Sequence, residues 1–128
     1  MFPHFDSRNP FYKSPFGAVE EGTKVHFRIL LPRDLRCSQA ELAVKYDYSY
    51  DWVFVKLFWT GSFDNDTGIW ECDFTPKDMG LYWYSFKLQT AEGTRFLVPA
   101  DVDRKSSIER SPGRSWQITA YKKGFKTP

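Results

Sequence analysis

Gly80-Leu81-Tyr82-Trp83-Tyr84-Ser85-Phe86-Lys87-Leu88 is the stretch that decides the fold. Tyr82, Tyr84, Phe86 and Leu88 share one parity, and Leu81, Trp83, Ser85 and Lys87 share the other. Side chains of an extended segment point alternately to opposite faces, so this period of two marks a strand with one face in a core. The parity carrying Ser85 and Lys87 is expected to be the solvated one. The same period recurs upstream, where Val25, Phe27, Ile29 and Leu31 alternate with Lys24, His26 and Arg28 until Pro32 ends the run. In Ala40–Tyr46, Leu42, Val44 and Tyr46 alternate with Glu41 and Lys45. Ile69–Phe74 sets Trp70, Cys72 and Phe74 against Glu71 and Asp73, Thr94–Val98 stops at Pro99, and Ser115–Tyr121 is a last strand.

Trp52–Trp59 is apolar on both parities. Lys56 shares a face with Trp52, Phe54 and Phe58, so the opposite face, Val53, Val55, Leu57 and Trp59, is expected to point inward. Asp64-Asn65-Asp66-Thr67-Gly68 is a turn sequence, because Asp and Asn bond their own backbone and Gly accepts a positive φ; it predicts a hairpin rather than a calcium loop. No stretch repeats apolar residues at three and four over more than two turns, so any helix is short and peripheral. Residues 1–22, rich in Pro, Phe and Ser, read as an extended arm. Ala100–Arg114, charged and serine-rich, reads as a long loop, and residues 122–128 as a connector. Seven or eight short strands within residues 23–121 predict an all-β fold, an immunoglobulin-like antiparallel β-sandwich, with a small barrel as the alternative.

The chain has 128 residues, 41% of them hydrophobic and 19% aromatic, which suits one compact domain with a single core. No run of about 18 apolar residues exists, so no membrane span is expected. The polar, proline-broken start does not read as a signal peptide, which makes the cytoplasm the expected location if Met1 is the natural start. The formal charge of +2 is too small for a nucleic-acid footprint. Residues 1–100 sum to −2 and residues 101–128 to +4, so the body is mildly acidic and the tail basic. Cys37 and Cys72 lack a CxxC spacing and read as reduced, semi-buried thiols.

No autonomous active site is legible. Acid–base cleavage of a glycosidic bond needs two carboxylates facing each other across a cleft, whereas the acids here sit at turns or alternate with apolar residues as solvated strand faces. His4 lies in the arm and His26 on a wet strand parity, so neither has partners for a triad or a zinc site. Phosphate-binding glycine loops are missing. No catalytic residue, metal site or cofactor is therefore expected. The informative feature is aromatic surface: Trp52, Phe54 and Phe58 are expected to face outward, as is Trp83, with Tyr46, Tyr48 and Tyr50 crowding the intervening loop. Such a patch on a soluble chain generally marks a contact. Rings on a rigid sheet can stack on sugars, or form half of an interface with another domain or subunit; the alternative is cover by a loop or by the arm.

Four segments carry a family resemblance: Phe11-Tyr12-Lys13-Ser14-Pro15-Phe16-Gly17-Ala18, Lys24-Val25-His26-Phe27-Arg28, Gly80–Phe86, and Ser115-Trp116-Gln117-Ile118-Thr119-Ala120-Tyr121 with Phe125-Lys126-Thr127-Pro128. Together they resemble the N-terminal, early-set immunoglobulin-like domain of bacterial α-amylase-family (family 13) glycoside hydrolases of pullulanase or neopullulanase type. The resemblance spans nearly the whole chain. It implies a non-catalytic accessory domain that packs on the catalytic (β/α)8 barrel of a parent enzyme, since the family's catalytic carboxylates belong to that barrel. It further implies α-glucan as a possible ligand; of the rings expected to face outward, Trp52, Trp83 and Tyr50 are the expected sugar contacts and Phe54 and Phe58 the expected interdomain contacts. Some related domains build a dimer interface, so a homodimer through the parent enzyme is the alternative role.

Overall fold

A computed structural model describes residues 4–100, 106–111 and 113–122. The strands are β1 (Lys13–Ser14), β2 (Val19–Glu20), β3 (Val25–Pro32), β4 (Gln39–Tyr46), β5 (Val53–Asp64), β6 (Thr67–Phe74), β7 (Gly80–Thr90), β8 (Gly93–Pro99), β9 (Ser106–Glu109) and β10 (Trp116–Tyr121). The helical content of the described residues is one 3-10 turn, Arg33–Leu35. One layer runs β1-β3-β6-β5 and the other β5-β4-β7-β10-β2, with the β8–β9 hairpin appended to the distal half of β7. Neighbours are antiparallel except β2 and β10, which pair in parallel at the edge. Two packed sheets with this order form an immunoglobulin-like sandwich, as expected.

Ten strands replace the seven or eight predicted among the described residues. The two-residue strands β1 and β2 arise where the N-terminal segment pairs first with β3 and then with β10. β9 lies inside the stretch read as a long loop; with Ile108 as its one large apolar residue it has too little alternation to announce itself, and its partner β8 defines it. The connector reading of residues 122–128 falls almost wholly outside the described residues.

The predicted inward parities of β3, β4 and β7 hold. Val25, Phe27, Ile29, Leu31, Ala40, Leu42, Val44, Tyr82, Tyr84, Phe86 and Leu88 are all buried. β5 departs from expectation: Leu57 is buried and Val55 half-buried, but Val53 and Trp59 are exposed. The reason is topological. Residues 53–57 pair with β4 in one sheet and residues 58–64 pair with β6 in the other, with a register shift between Trp59 and Gly61. Each half is an edge with a single neighbour, so only the middle of the strand lies over the core.

The core is aromatic, and Phe5 is its centre. This fully buried ring stands 4.7 Å from Trp116 and 4.9 Å from Phe86, with Tyr12, Phe27 and Tyr84 around it. Backbone bonds hold it there: the N–H groups of His4 and Phe5 both donate to Ser106 Oγ at 3.2 Å, and Leu30 N–H donates to His4 O at 2.9 Å. At the β6–β7 corner, Tyr82 Oη donates to Asp78 O at 2.8 Å and accepts from Asp78 N–H, the corner tyrosine of this sandwich class. Gly80, with φ of 138°, lies under the Tyr46 ring, where an added Cβ would come within 2.9 Å. Tyr46 Oη in turn donates to Met79 O at 2.6 Å.

Two predictions follow from this packing. Phe5→Ala removes the ring that fills the space between the sheets and is expected to lower the unfolding free energy by about 3–5 kcal/mol in urea titrations. Tyr84 is fully buried and its hydroxyl has no hydrogen-bond partner among the described residues, a group whose desolvation is uncompensated. Tyr84→Phe is therefore expected to raise stability by about 1 kcal/mol; a loss of stability in the same titration would show that the hydroxyl is satisfied in solution.

Candidate functional site

The outer face of the β5-β4-β7 sheet is built by cross-strand register. Phe54, Ala43 and Ser85 stand opposite one another in one row, and Lys56, Glu41, Lys87 and Phe96 form the next row, two residues along. Small residues between large ones make a trough. Ala43 and Ser85 form its floor, Trp52, Phe54, Lys87 and Phe96 its walls, and Gly113 and Ser115 close the far side, enclosing about 430 Å³ of open groove. Ser85 is only 2% exposed although it sits on the parity expected to be solvated. The surrounding side chains shelter it. Lys87 Nζ lies 5.3 Å from the centroid of the Phe54 ring, close enough for a cation–π contact that fixes both groups.

Among the described residues, the lining of this groove offers ring faces and a few donors. Rings with an ammonium and a hydroxyl beside them are groups that could meet a ligand of apolar faces and polar edges.

The structure distributes the residues singled out from the sequence over four places. Trp52 and Phe54 share the groove. Trp83 is half-buried on the same sheet, opposite Lys45 and Gln117, where its indole N–H donates to Asp47 Oδ1 at 3.0 Å, and it does not line the groove. Tyr50 stands 97% exposed in the β4–β5 loop. Phe58 belongs to the other sheet, opposite Glu71, with Lys56 Nζ 5.3 Å from its ring centroid. The sheet switch in β5 separates it from Phe54. Phe96, Lys87, Ala43 and Ser85 escaped the sequence reading. Phe96 and Lys87 were visible as strand residues, but only the β7–β8 register brings them beside Phe54.

The outer face of the first sheet carries a charged network instead. His26 Nε2 lies 2.6 Å from Glu71 Oε1 and His26 Nδ1 2.7 Å from Asp73 Oδ1, so both ring nitrogens face carboxylates. Arg28 Nε donates to the same Glu71 oxygen at 3.0 Å, Arg28 also bonds Phe11 O at 3.0 Å, and Thr60 Oγ1 donates to the other Glu71 oxygen. Burial pushes the Glu71 carboxyl up, but the hydrogen bonds from Thr60, His26 and Arg28 and the Arg28 charge outweigh it and hold the group at about 2. Burial pushes His26 down, and the bonds and charges of Asp73 and Glu71 outweigh it, so its net shift is upward. Both cysteines are free; burial, with Asp73 beside it, pushes the Cys72 thiol up to about 12.

Fold and groove together define an immunoglobulin-like sandwich domain with an exposed aromatic groove. No family model matches the chain. It is similar to an amylopullulanase of Thermoanaerobacter thermohydrosulfuricus, 26% identical over 128 residues, a match that takes in 96% of this chain and 8% of that protein. Among solved structures, a cyclomaltodextrinase shares the fold with a TM-score of 0.60 and 22% identity, over 82% of this chain and 18% of that one. Both are α-amylase-family glycoside hydrolases, and the chain resembles the N-terminal domain of that family while spanning only a small part of either relative.

The network sets a pH signature. The raised His26 contributes stability that is complete below its ordinary value of 6.5 and disappears as pH rises through the higher folded value. The depressed Glu71 contributes stability that is present above 4.5 and lost as pH falls toward about 2. The two contributions coexist between those limits. Melting temperatures of the wild type and His26→Gln are therefore expected to differ most between the ordinary Glu71 and His26 values and to converge as pH rises through the raised His26 value; a difference independent of pH would refute the ion-paired imidazolium.

Proposed function

We propose that this chain is a non-catalytic accessory domain of an α-glucan-acting enzyme, packing on that enzyme's catalytic barrel and holding starch-like chains on the Trp52 groove. The observation that carries the reading is the groove itself: three rings around a floor of two small residues, with an ammonium and a hydroxyl as donors. Pyranose rings present the complementary pattern, with apolar C–H faces edged by hydroxyls. The match to a part of an amylopullulanase, whose name speaks of α-glucans, supports the same ligand class. In this reading the domain performs no bond cleavage and raises the local concentration of polymer beside the active site.

The alternative role, a subunit-interaction module, is favoured by one observation. β5 is an edge strand in both sheets and exposes Val53, Phe54, Phe58, Trp59 and Phe63. Edges of that composition are ordinarily covered.

Affinity electrophoresis through amylopectin gels tests the main reading. The wild-type chain is expected to be retarded. Trp52→Ala and Ser85→Trp, which remove a wall and fill the floor, are each expected to weaken the retardation about tenfold, whereas Tyr50→Ala changes it little. Unretarded migration of the wild type, together with concentration-dependent dimerisation in sedimentation, would replace the main reading with the alternative.

A further inference from the structure

Trp59 and Trp70 stand opposite each other across the β5–β6 pair, and with Leu31, Pro32, Arg33 and Arg36 they line a pocket of about 200 Å³ beside the 3-10 turn. It is separate from the groove and independent of what the groove holds. Trp59 is 54% exposed, yet its ring is placed. The indole Nε1 rests against Gly68, where a Cβ would come within 2.9 Å, so the missing side chain lets the ring lie on β6.

The polar side chains of this lining are nearly all donors. Arg33 and Arg36 present guanidinium N–H groups and the two indoles present ring N–H groups, and among the described residues the lining holds no carboxylate or carboxamide. Arg33 commits one donor to Ser62 Oγ. The Arg36 guanidinium and both indole N–H groups have no hydrogen-bond partner among the described residues, and neither arginine is ion-paired there. Acids of the neighbouring elements are placed elsewhere: Asp34 lines the adjoining cleft, Glu92 pairs with Arg95 at 3.6 Å, and Asp64 Oδ1 accepts from Asp66 N–H at 2.8 Å.

The backbone supplies a second observation. Arg36 N–H closes the turn onto Arg33 O at 3.0 Å, and Arg36 takes a left-handed conformation with φ of 51°, the one non-glycine residue at positive φ among the described residues. A long cationic side chain in a conformation that glycine adopts without strain points to a use for the guanidinium.

Unused donors without acceptors select a ligand that accepts. A neutral polyhydroxylated ring donates as well as accepts, and its hydroxyl protons would find few partners here. An oxyanion accepts at every oxygen, and a guanidinium meets its oxygens in pairs. Two guanidinium charges match a phosphate monoester, close to doubly charged at neutral pH, better than a singly charged carboxylate. The indoles, with Leu31 and Pro32, offer apolar surface to one ring attached to that phosphate.

We propose that the Trp59–Trp70 pocket binds the phosphate monoester of a small ring-bearing molecule, with Arg33 and Arg36 on the phosphate and the indoles on the ring.

The five tryptophan indole N–H resonances of the chain give a site-resolved readout. Phenyl phosphate is titrated into the 15N-labelled chain at neutral pH, with Trp59→Phe used to assign the Trp59 resonance. Saturable shifts of the Trp59 and Trp70 resonances are expected, with Trp52 unmoved and with affinity falling as sodium chloride is raised. Arg36→Gly, which suits the left-handed backbone and so preserves the fold, is expected to weaken binding about tenfold. Arg33→Gln, away from the left-handed position, is expected to weaken it as well. Wild-type affinity in both variants, or no shift of Trp59 and Trp70, would overturn the site. Equal affinity for benzyl alcohol would overturn the role of charge, and equal affinity for benzoate the assignment to phosphate. Inorganic phosphate binding as tightly as phenyl phosphate would reduce the pocket to an adventitious ion site and overturn the proposal.

Discussion

A strand shared by two sheets cannot bury both of its faces, and β5 is such a strand. Its first half extends the sheet containing β4 and its second half the sheet containing β6, with the register shift after Trp59 as the joint. Only Leu57, at the crossing, is fully buried. The remaining apolar residues are apportioned to surfaces: Trp52 and Phe54 to the outer face of one sheet, Phe58 to the outer face of the other, Trp59 to the rim between them. The groove depends on this division, because Phe54 reaches it from the half of β5 that pairs with β4. A β5 confined to one sheet would place Trp59 over the core and leave no indole to meet Trp70 at the edge.

Such an exposed edge persists only if the rest of the domain is stiff, and the inter-sheet core provides that. Phe5, Phe27, Tyr84, Phe86 and Trp116 meet at ring separations of 4.7–6.2 Å in a mixture of edge-on and stacked geometries. Rings in this arrangement interlock in a way aliphatic chains do not. Phe5 belongs to the N-terminal segment, so that segment is a structural part of the sandwich. The same segment supplies β1 and β2, which cover the outer edges of β3 and β10 and leave the β5 side as the long uncovered flank.

The division between what was legible in the sequence and what was not follows from the physics of strands. Parity is a local property, and it identified the inward residues of β3, β4 and β7 correctly because each of those strands has neighbours on both edges. It failed in β5, where Val53 and Trp59 have the inward parity but no sheet above them. It failed also for Ser85, a polar residue on an outward parity that became a groove floor because its cross-strand neighbours are large. Register is a non-local property. Phe54 and Trp52 were marked as surface aromatics, yet their companion Phe96 comes from β8, more than 40 residues along the chain, and the pairing of β7 with β8 alone places it there.

The same distinction explains why Trp52 and Trp83, both on outward parities, differ in surroundings. Trp83 was expected to display its ring as Trp52 does, and both occupy outward positions. Trp83, however, lies in a central strand with β4 on one side and β10 on the other, and its indole N–H is held by Asp47. A ring pinned by its polar edge and flanked by Lys45 and Gln117 has less free face to offer than one at a strand end. Trp52 precedes an edge strand and has open space on one side, which the groove makes available. In a sandwich with a rigid aromatic interior, recognition falls to residues at strand termini and on edge strands, where backbone hydrogen bonding to a neighbour no longer dictates what covers the side chain. β5 supplies an unusual share of those positions, and the aromatic content of this one strand accordingly accounts for much of the ring surface that the domain exposes.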